Sequence, residues 1–174
     1  MAKVIQFTGL SGAGKTTLAN GVQQELSRNN YKVAVLDGDV YRKTLCSDLG
    51  FSKSDRIENI QRLGRLAMEM SDDYDFIIIA AINPFQIARQ WLRNHLNAKL
   101  VYITCAIETL TIRDTKDLYR RAMLPKGHEN KIYNLTGVND YFEPPLAPDF
   151  IISTETDTVT ESIEKLKSFM MLVR

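Results

Sequence analysis

Residues 9–16 read Gly9-Leu10-Ser11-Gly12-Ala13-Gly14-Lys15-Thr16 and fit the pattern G-x-x-x-x-G-K-[ST], which is typical of a phosphate-binding loop. In such a loop the glycines let the backbone fold closely around phosphates, so that successive N–H groups point at the anion. The helix that follows adds the partial positive charge of its N-terminus. We expect Lys15 to reach the β- and γ-phosphate oxygens and the Thr16 hydroxyl to take one position on Mg²⁺.

The sequence on either side supplies the strand and the helix that this motif requires. Residues 4–8 form a short apolar run, and residues 16–26 carry apolar side chains at helical spacing. A glycine-rich turn that happens to contain Lys-Thr is the alternative, and the strand–loop–helix context disfavours it. We call residues 9–17 the P-loop. The residues predicted to bind the nucleotide cofactor there are Gly9, Ser11, Gly12, Ala13, Gly14, Lys15, Thr16 and Thr17.

Length and composition narrow the class of protein. With 174 residues, 44% hydrophobic and 25% charged, the chain has the make-up of one globular domain spanning residues 1–174. A net charge of +1 gives no general attraction to nucleic acid or to an anionic membrane, so neither is expected as a partner. Cys46 and Cys105, with the two histidines, show no metal-ligand spacing. No signal peptide or membrane-spanning run is expected, and we predict a cytoplasmic protein.

Apolar runs alternate with helical patterns along the chain. Further strands are predicted at residues 32–36, 76–81, 100–104 and 150–153. Helices are predicted at residues 40–46, 54–70, 84–96 and 159–172, with short helical pieces between residues 105 and 121. Ser54 is the expected N-cap of the long second of these helices, and Pro84 is placed in the first turn of the third. The alternation predicts an α/β fold of three layers, a central parallel five-stranded sheet with helices on both faces.

Ligands of such sheets bind beyond the carboxyl ends of the strands. The P-loop, Asp37-Gly38-Asp39, Ile82-Asn83-Pro84 and Arg113-Asp114 all fall there, so we expect them to line one cleft. Residues 113–121 are basic and residues 123–148 are polar and rich in Gly, Pro and Asn. We predict a mobile lid over approximately residues 113–145 that closes on the transferring phosphates. A solvated run of charges is the alternative for its first part.

Two carboxylates follow the second predicted strand. Asp37 and Asp39 flank Gly38, and residues i and i+2 of an extended segment point to the same side. One is expected to steer Mg²⁺ or its waters and the other to accept a proton from an acceptor hydroxyl. The alternative is a turn whose aspartates cap the next helix. At the mouth of a phosphate cleft the catalytic interpretation is favoured.

Four arginines lie on the helices after that turn. The guanidinium group suits bidentate recognition of phosphate or sulfate oxygens. Arg42 and Arg56 are the better candidates, because they accompany Asp39 and the turn at Phe51; Arg62 and Arg65 are explained equally well as surface side chains. Phe51 is either a core residue or a stacking face for a base.

Taken together, these segments resemble the adenylylsulfate kinase family of P-loop kinases, which phosphorylate the 3′-hydroxyl of adenosine 5′-phosphosulfate (adenylylsulfate). The matching segments are GLSGAGKTT (9–17), LDGD with Arg42, DLGFS-x-x-DR-x-ENI (48–60), Ile82 with Pro84, RD-x-K-x-LY (113–119), TGV (136–138) and YFEPP (141–145). The block at residues 48–60 is far more specific than the P-loop. The resemblance implies a P-loop NTPase fold, ATP and Mg²⁺ as cofactors and adenylylsulfate as the small-molecule substrate, and it leaves a homodimer open.

The resemblance also implies roles for individual residues. The implied catalytic residues are Lys15, Asp37, Asp39 and Lys116, with Asp39 as the base or hydroxyl-orienting group. The implied metal ligands are Thr16 and Asp37, and Arg113 is placed against the ATP base. The residues implied to bind the acceptor are Asp39, Arg42, Phe51, Arg56, Asn59, Ile82, Lys116 and Leu135, with Phe51 stacked on the adenine.

Three positions depart from the family pattern. Asn83 stands where the family usually has Ser, so no phosphoserine can form there, and Asp117 stands where it usually has Gly, in a lid that looks longer than usual. Leu135 replaces a Phe, which keeps apolar burial but loses an aromatic contribution of about 1 kcal/mol. Leu135 and the altered lid motivate one alternative, a related small-molecule kinase with a different acceptor. A nucleotide-binding switch is a second, disfavoured because no Asn-Lys-x-Asp guanine-reading motif occurs and both Lys15 and Asp39 are present.

Overall fold

Five parallel strands form one sheet in the order β2-β3-β1-β4-β5 in the computed structural model, which describes all 174 residues. The strands are β1 (Lys3–Thr8), β2 (Val33–Asp37), β3 (Phe76–Ala80), β4 (Lys99–Thr104) and β5 (Phe150–Ser153). The helices are α1 (Lys15–Arg28), α2 (Gly38–Tyr41), α3 (Lys53–Glu69), α4 (Gln86–Leu96), α5 (Ile107–Arg113), α6 (Leu118–Ala122) and α7 (Val159–Leu172). The predicted α/β fold with a central five-stranded parallel sheet is confirmed. No helix has both the length and the apolar character needed to cross a membrane.

Successive side chains of the strands pack alternately into two separate hydrophobic cores, one on each face of the sheet. Ile5 of β1 and Ile78 of β3 belong to a cluster of 21 buried residues that includes apolar side chains of α1 and α7. Their neighbours Val4 and Ile77 belong to a second cluster of 12 buried residues, with apolar side chains of α3 and α4. Because successive side chains of a strand point to opposite faces, continuous apolar runs are required when both faces are covered. The three-layer arrangement follows.

Three helix starts differ from the predictions, and for α2 and α3 the reason is local. The helix expected over residues 40–46 is the short α2, followed by turns, because Asp37 Oδ1 accepts from the backbone N–H groups of Asp39 (2.8 Å) and Val40 (3.3 Å) and starts the helix at Gly38. The N-cap of α3 is Ser52 and the prediction of Ser54 was wrong. Ser52 and Asp55 form a reciprocal capping box, in which each side chain accepts a hydrogen bond from the backbone N–H of the other residue.

Pro84 lies outside α4, which begins at Gln86 with Phe85 as N-cap. The N–H of Gln86 donates to the Glu143 carboxylate at 2.5 Å, and the N–H of Glu143 donates to the Pro84 carbonyl at 2.9 Å. A backbone N–H group in the first turn of α4 is therefore hydrogen-bonded by a residue outside the helix, at the end of the predicted lid. Asn83, just before the proline, has a left-handed φ of 45° and is buried.

The predicted lid, here called the lid segment (residues 113–145), contains α6 and otherwise no helix beyond the end of α5. It is attached to the P-loop through Tyr119, whose hydroxyl donates to the Ser11 carbonyl at 2.7 Å. Tyr119 is almost fully buried, and burial raises the pKa of its hydroxyl to about 12. Leu135 is also buried and packs in the larger core cluster. The lid segment thus packs against the carboxyl end of the sheet.

Candidate active site

The P-loop makes a tight turn between β1 and α1 that only glycine permits at two points. Gly9 has a φ of 152°, and a Cβ on it would lie 2.2 Å from the carbonyl oxygen of Ile103. Gly14, the N-cap of α1, has a φ of 94° and provides no side-chain cap. The first N–H groups of α1 therefore have no capping oxygen from the protein and are available to an anion.

Lys15 is buried at the base of this loop, with its ammonium group held by the Leu10 carbonyl at 2.7 Å. Burial lowers the pKa of Lys15 to about 8. Asp39 and Asp37 act in the opposite direction, and the positive charge of Lys116 acts in the same direction as burial. A buried ammonium in this position is stabilised by an incoming anion, because the anion supplies the counter-charge that water cannot.

The two carboxylate oxygens of Asp37 have different partners. Oδ1 caps α2, as described above, whereas Oδ2 accepts a 2.6 Å hydrogen bond from the hydroxyl of Thr16. The capping interpretation and the functional interpretation of this aspartate are therefore compatible, since each uses one oxygen. Thr16 Oγ1 and Asp37 Oδ2 are hard oxygen donors side by side at the start of the P-loop helix, the donor set that Mg²⁺ prefers beside phosphates. These residues fit the ion.

Asp39 pairs with a residue of the lid segment. Its Oδ2 accepts from Lys116 Nζ at 2.5 Å, across 77 residues of sequence. The Asp39 side chain is 65% exposed and that of Lys116 is 50% exposed, so neither is held by burial. Exposed pairs of this kind contribute little to stability, at most about 1 kcal/mol. The pair can accordingly separate when charged ligands arrive.

Two adjoining cavities meet at these residues. The smaller, about 200 Å³, is the phosphate cavity, lined by Ser11, Gly12, Gly14, Lys15, Thr16, Thr17, Asp37, Asp39, Thr115 and Lys116 among others. The larger, about 390 Å³, is the acceptor cavity, and every residue implied to bind the acceptor lines it: Asp39, Arg42, Phe51, Arg56, Asn59, Ile82, Lys116 and Leu135. Five residues border both cavities, namely Ser11, Asp39, Ala81, Ile82 and Lys116. Asp39 thus stands between two binding spaces.

The acceptor cavity is cationic and aromatic at one end. The guanidinium carbons of Arg42 and Arg56 lie 4.6 Å and 5.4 Å from the ring centroid of Phe51. Burial and the neighbouring Arg56 lower the pKa of Arg42. Two like charges beside a half-exposed ring favour an anionic ligand that carries an aromatic ring, because the anion relieves the repulsion and the ring can stack.

Buried polar groups without partners also line the acceptor cavity. Asn59 Oδ1, Asn83 Oδ1 and Thr136 Oγ1 are buried and have no hydrogen-bond partner in the protein. The amide nitrogen of Asn83, which replaces the family's usual Ser, donates to Oε1 of Gln6 on β1 at 3.1 Å. Unpartnered buried polar atoms are rare in native proteins and need an explanation such as a ligand. Other lining residues were not predicted from the sequence: Leu118, Ile132, Asn134 and Thr136, of which Thr136 lies in the TGV segment.

Arg113 lies in a third cavity, of about 310 Å³, on the other side of the P-loop. Its Nη2 donates to the Thr154 carbonyl at 2.8 Å. The cavity is lined by Gly14, Thr17, Leu18, Arg113, Thr154, Asp157, Thr158, Val159 and Ser162. The residues of the β5–α7 loop were missed from the sequence, because no motif marks them and only the sheet order brings them beside α1.

Some predicted residues are not in the cavities. Gly9 and Ala13 belong to the P-loop but line none of the three cavities: the Gly9 N–H donates to the Ile82 carbonyl at 3.2 Å, and Ala13 is fully buried. Arg62 forms salt bridges with Asp48 and Glu58 on the outer side of α3, and Arg65 forms one with Glu58. The surface interpretation holds for these two arginines.

Comparison with known proteins identifies the family to which the chain belongs. The family model described as adenylylsulphate kinase matches residues 1–153. An adenylyl-sulfate kinase of Synechococcus sp. (strain JA-2-3B'a(2-13)) is 40% identical over 161 residues, 92% of this chain and 89% of that protein. One of Vibrio cholerae serotype O1 is 40% identical over 163 residues, 92% of this chain and 74% of that protein.

Similarity extends to solved structures. The APS kinase of Mycobacterium tuberculosis, solved in complex with AMPPNP and APS, matches with a TM-score of 0.88 at 28% identity and covers 98% of both chains. The sequence matches span almost the whole chain, and the structural match includes the sheet and both of its faces. The chain belongs to the adenylylsulfate kinase family.

Proposed function

We propose that this chain is a Mg-ATP-dependent kinase that transfers the γ-phosphoryl group of ATP to the 3′-hydroxyl of adenylylsulfate, giving ADP and 3′-phosphoadenylylsulfate. The observation that carries the proposal is the junction of a phosphate cavity with a cationic, aromatic acceptor cavity at Asp39 and Lys116. Membership of the family supports the reaction, and so does the similarity to an APS kinase solved with AMPPNP and APS.

On the ATP side, the P-loop and the first turn of α1 bind the phosphates, with Lys15 as the buried counter-charge. Thr16 and Asp37 would hold Mg²⁺, which would neutralise charge on the phosphates of ATP. Arg113 and the β5–α7 loop take the base in the third cavity. This assignment uses the arrangement of the three cavities around the P-loop.

On the acceptor side, Arg42 and Arg56 bind the phosphosulfate group and the ring of Phe51 stacks on adenine. Leu135 contributes apolar surface to the same cavity, and Asn59 and Thr136 provide hydrogen-bonding atoms that the protein leaves unpaired. An anionic, aromatic ligand matches each of these features.

The transfer forms a bond between the 3′-oxygen and the γ-phosphorus and breaks the bond from that phosphorus to the β,γ-bridging oxygen. Asp39 accepts the proton of the 3′-hydroxyl as its oxygen attacks. Lys116, held beside Asp39 by the lid segment, places its positive charge next to the transferring group. The lid segment excludes water from the junction, so that the phosphoryl group passes to the hydroxyl rather than to water.

The decisive experiment measures ADP release by the wild-type protein with Mg-ATP, with and without adenylylsulfate, and identifies the nucleotide product by mass. We expect strong stimulation and a 3′-phosphorylated product. A protein that binds ATP but shows no stimulation would direct attention to another small-molecule acceptor. Leu135 and Asn83, which line the acceptor cavity in place of the family's usual residues, are the positions that favour this second candidate.

We further propose a cytoplasmic site of action and a homodimeric state. The requirement for ATP and the two buried, unpaired thiols of Cys46 and Cys105 support the first. The homodimer is a prediction from the family resemblance, to be measured by light scattering with and without nucleotides.

A further inference from the structure

Arg56 in the acceptor cavity is held by a carboxylate from the lid segment. Arg56 lies on α3 and Asp140 lies 84 residues later, yet Arg56 Nη2 donates to Asp140 Oδ2 at 2.7 Å. The Arg56 side chain is 7% exposed and that of Asp140 is 29% exposed. Removing the partner of so deeply buried a cation is costly, because the remaining charge has neither water nor a counter-ion.

The other hydrogen bonds of Arg56 leave one edge of its guanidinium free. Nε donates to the Phe51 carbonyl at 3.0 Å, and the second hydrogen of Nη2 is used by the Asn134 carbonyl at 2.7 Å. A guanidinium has five N–H donors, so three are used and the two on Nη1 remain. Nη1 is not among the fully buried unpartnered atoms, and Arg56 lines the acceptor cavity. The free edge is therefore accessible to a ligand.

Asp140 is itself fixed by the turn in which it lies. Its Oδ1 accepts from the N–H of Tyr141 at 2.8 Å. Its backbone carbonyl accepts from the Gly137 N–H at 2.8 Å, and its own N–H donates to the Leu135 carbonyl at 3.2 Å. Leu135 and Thr136 of this turn line the acceptor cavity, whereas Asp140 does not. One carboxylate thus joins the cationic wall of the cavity to the wall formed by the lid segment.

We propose that Asp140 is a positioning residue for adenylylsulfate. It fixes the Arg56 guanidinium with its Nη1 edge toward the anionic group of the acceptor, and it holds the turn at Leu135 and Thr136 against the same ligand. A guanidinium already fixed loses less conformational freedom on binding, which favours affinity. The inference rests on the proposed function and deepens it, because it concerns acceptor binding and leaves the ATP side untouched.

The test compares Asp140→Asn with a matched control, Asp149→Asn. Like Asp140, Asp149 is partly buried, with 25% of its side chain exposed, and it pairs with an arginine, Arg93, at 2.6 Å. It also accepts a 2.7 Å hydrogen bond from a backbone N–H group, that of Leu100. Unlike the residues of the site, however, Asp149 lines none of the three cavities. We expect Asp140→Asn to raise the KM for adenylylsulfate about tenfold, with kcat and the KM for ATP within twofold of wild type. Asp149→Asn should leave all three unchanged, and Asp140→Glu should recover part of the affinity.

Each other result overturns the inference. An unchanged KM for adenylylsulfate would mean that Arg56 needs no fixing, and a lowered KM would mean that Asp140 competes with the ligand for Arg56. If Asp140→Asn raised the KM for ATP as much as the KM for adenylylsulfate, or if Asp149→Asn raised the KM for adenylylsulfate equally, the cause would be a general loss of structure. A wild-type protein that does not turn over adenylylsulfate would overturn the proposed function together with this inference, whereas an active wild type with any of the preceding results overturns the inference alone.

Discussion

The hydroxyl of Thr16 donates a 2.6 Å hydrogen bond to Oδ2 of Asp37, and this contact joins the first turn of α1 to the end of β2. The two residues come from separate motifs, and only the pairing of β2 and β1 with β3 between them brings those motifs to one place. Because Asp37 Oδ1 caps α2, the backbone around the acceptor cavity and the proposed metal position depend on one side chain.

Replacement of Thr16 tests the metal position. Thr16→Val keeps the shape of the side chain and removes its oxygen, so the Mg²⁺ concentration for half-maximal activity should rise at least tenfold, while Thr16→Ser should stay near wild type. Thr16 is exposed, so folding stability should change by only about 1 kcal/mol, the usual net value of one hydrogen bond. A magnesium titration of ADP release measures the effect. An unchanged titration curve for Thr16→Val would remove this residue from the metal site.

Replacement of Asp39 tests the proton acceptor. Asp39→Asn removes the basic oxygen and should lower kcat by a factor of about 10² to 10⁴, the usual contribution of a general base, with ATP affinity within a few-fold of wild type. Asp48→Asn is the matched control, since Asp48 is a similarly exposed aspartate paired with a basic residue, Arg62, away from the cavities. Single-turnover rates and ATP titrations separate the two effects. Similar turnover in the two variants would exclude Asp39 as the base.

Replacement of Phe51 tests the stacking of the acceptor base. Loss of an aromatic–base stack costs about 1–3 kcal/mol, so Phe51→Ala should raise the KM for adenylylsulfate about 5- to 160-fold. Since Phe51 is about half exposed, its removal should change folding stability little. Phe51→Tyr should bind as wild type does and Phe51→Leu should fall between. If the leucine and tyrosine variants bind equally well, the ring contributes only apolar area.

The strands and the P-loop were predictable because local patterns determine them. Continuous apolar runs placed all five strands within one residue of their observed bounds, and the glycine spacing determined the loop. The capping serine of α3 was misplaced although its signal was present, since Ser52 and Asp55 have the spacing of a capping box and Ser54 does not.

Features made by long-range contacts were not predictable. The third cavity is formed by the β5–α7 loop, which lies beside α1 only because of the sheet order. The pairing of Arg56 with Asp140 joins residues 84 positions apart, and no local pattern specifies it. Residue type indicated that Arg56 could bind an anion, but its orientation depends on partners supplied by the lid segment.

The depressed pKa of Lys15 predicts how ATP affinity changes with pH. With a pKa of about 8 in the free protein, Lys15 loses its charge above that pH, whereas bound phosphates favour the charged form. ATP affinity should therefore be flat below about pH 7 and fall by up to about tenfold per pH unit above pH 8, with uptake of one proton on binding. Calorimetry in buffers of different ionisation enthalpy measures the uptake. The second ionisation of a phosphate lies near pH 6, so ATP itself does not contribute there.

The same group makes folding stability change in the opposite direction. An unfolded chain keeps Lys15 protonated up to about pH 10.4, so between about pH 8 and 10 the unfolded state binds more protons and the contribution of Lys15 to the free energy of unfolding rises with pH. Below pH 8 both states are protonated and the cost of the buried charge, on the order of 3 kcal/mol, is fully present. Lys15→Met should abolish this rise, as measured by urea unfolding at pH 7 and 9.5. A wild-type protein and a Lys15→Met variant with parallel pH profiles would show that Lys15 keeps an ordinary pKa, and the predicted fall in ATP affinity would then lose its cause.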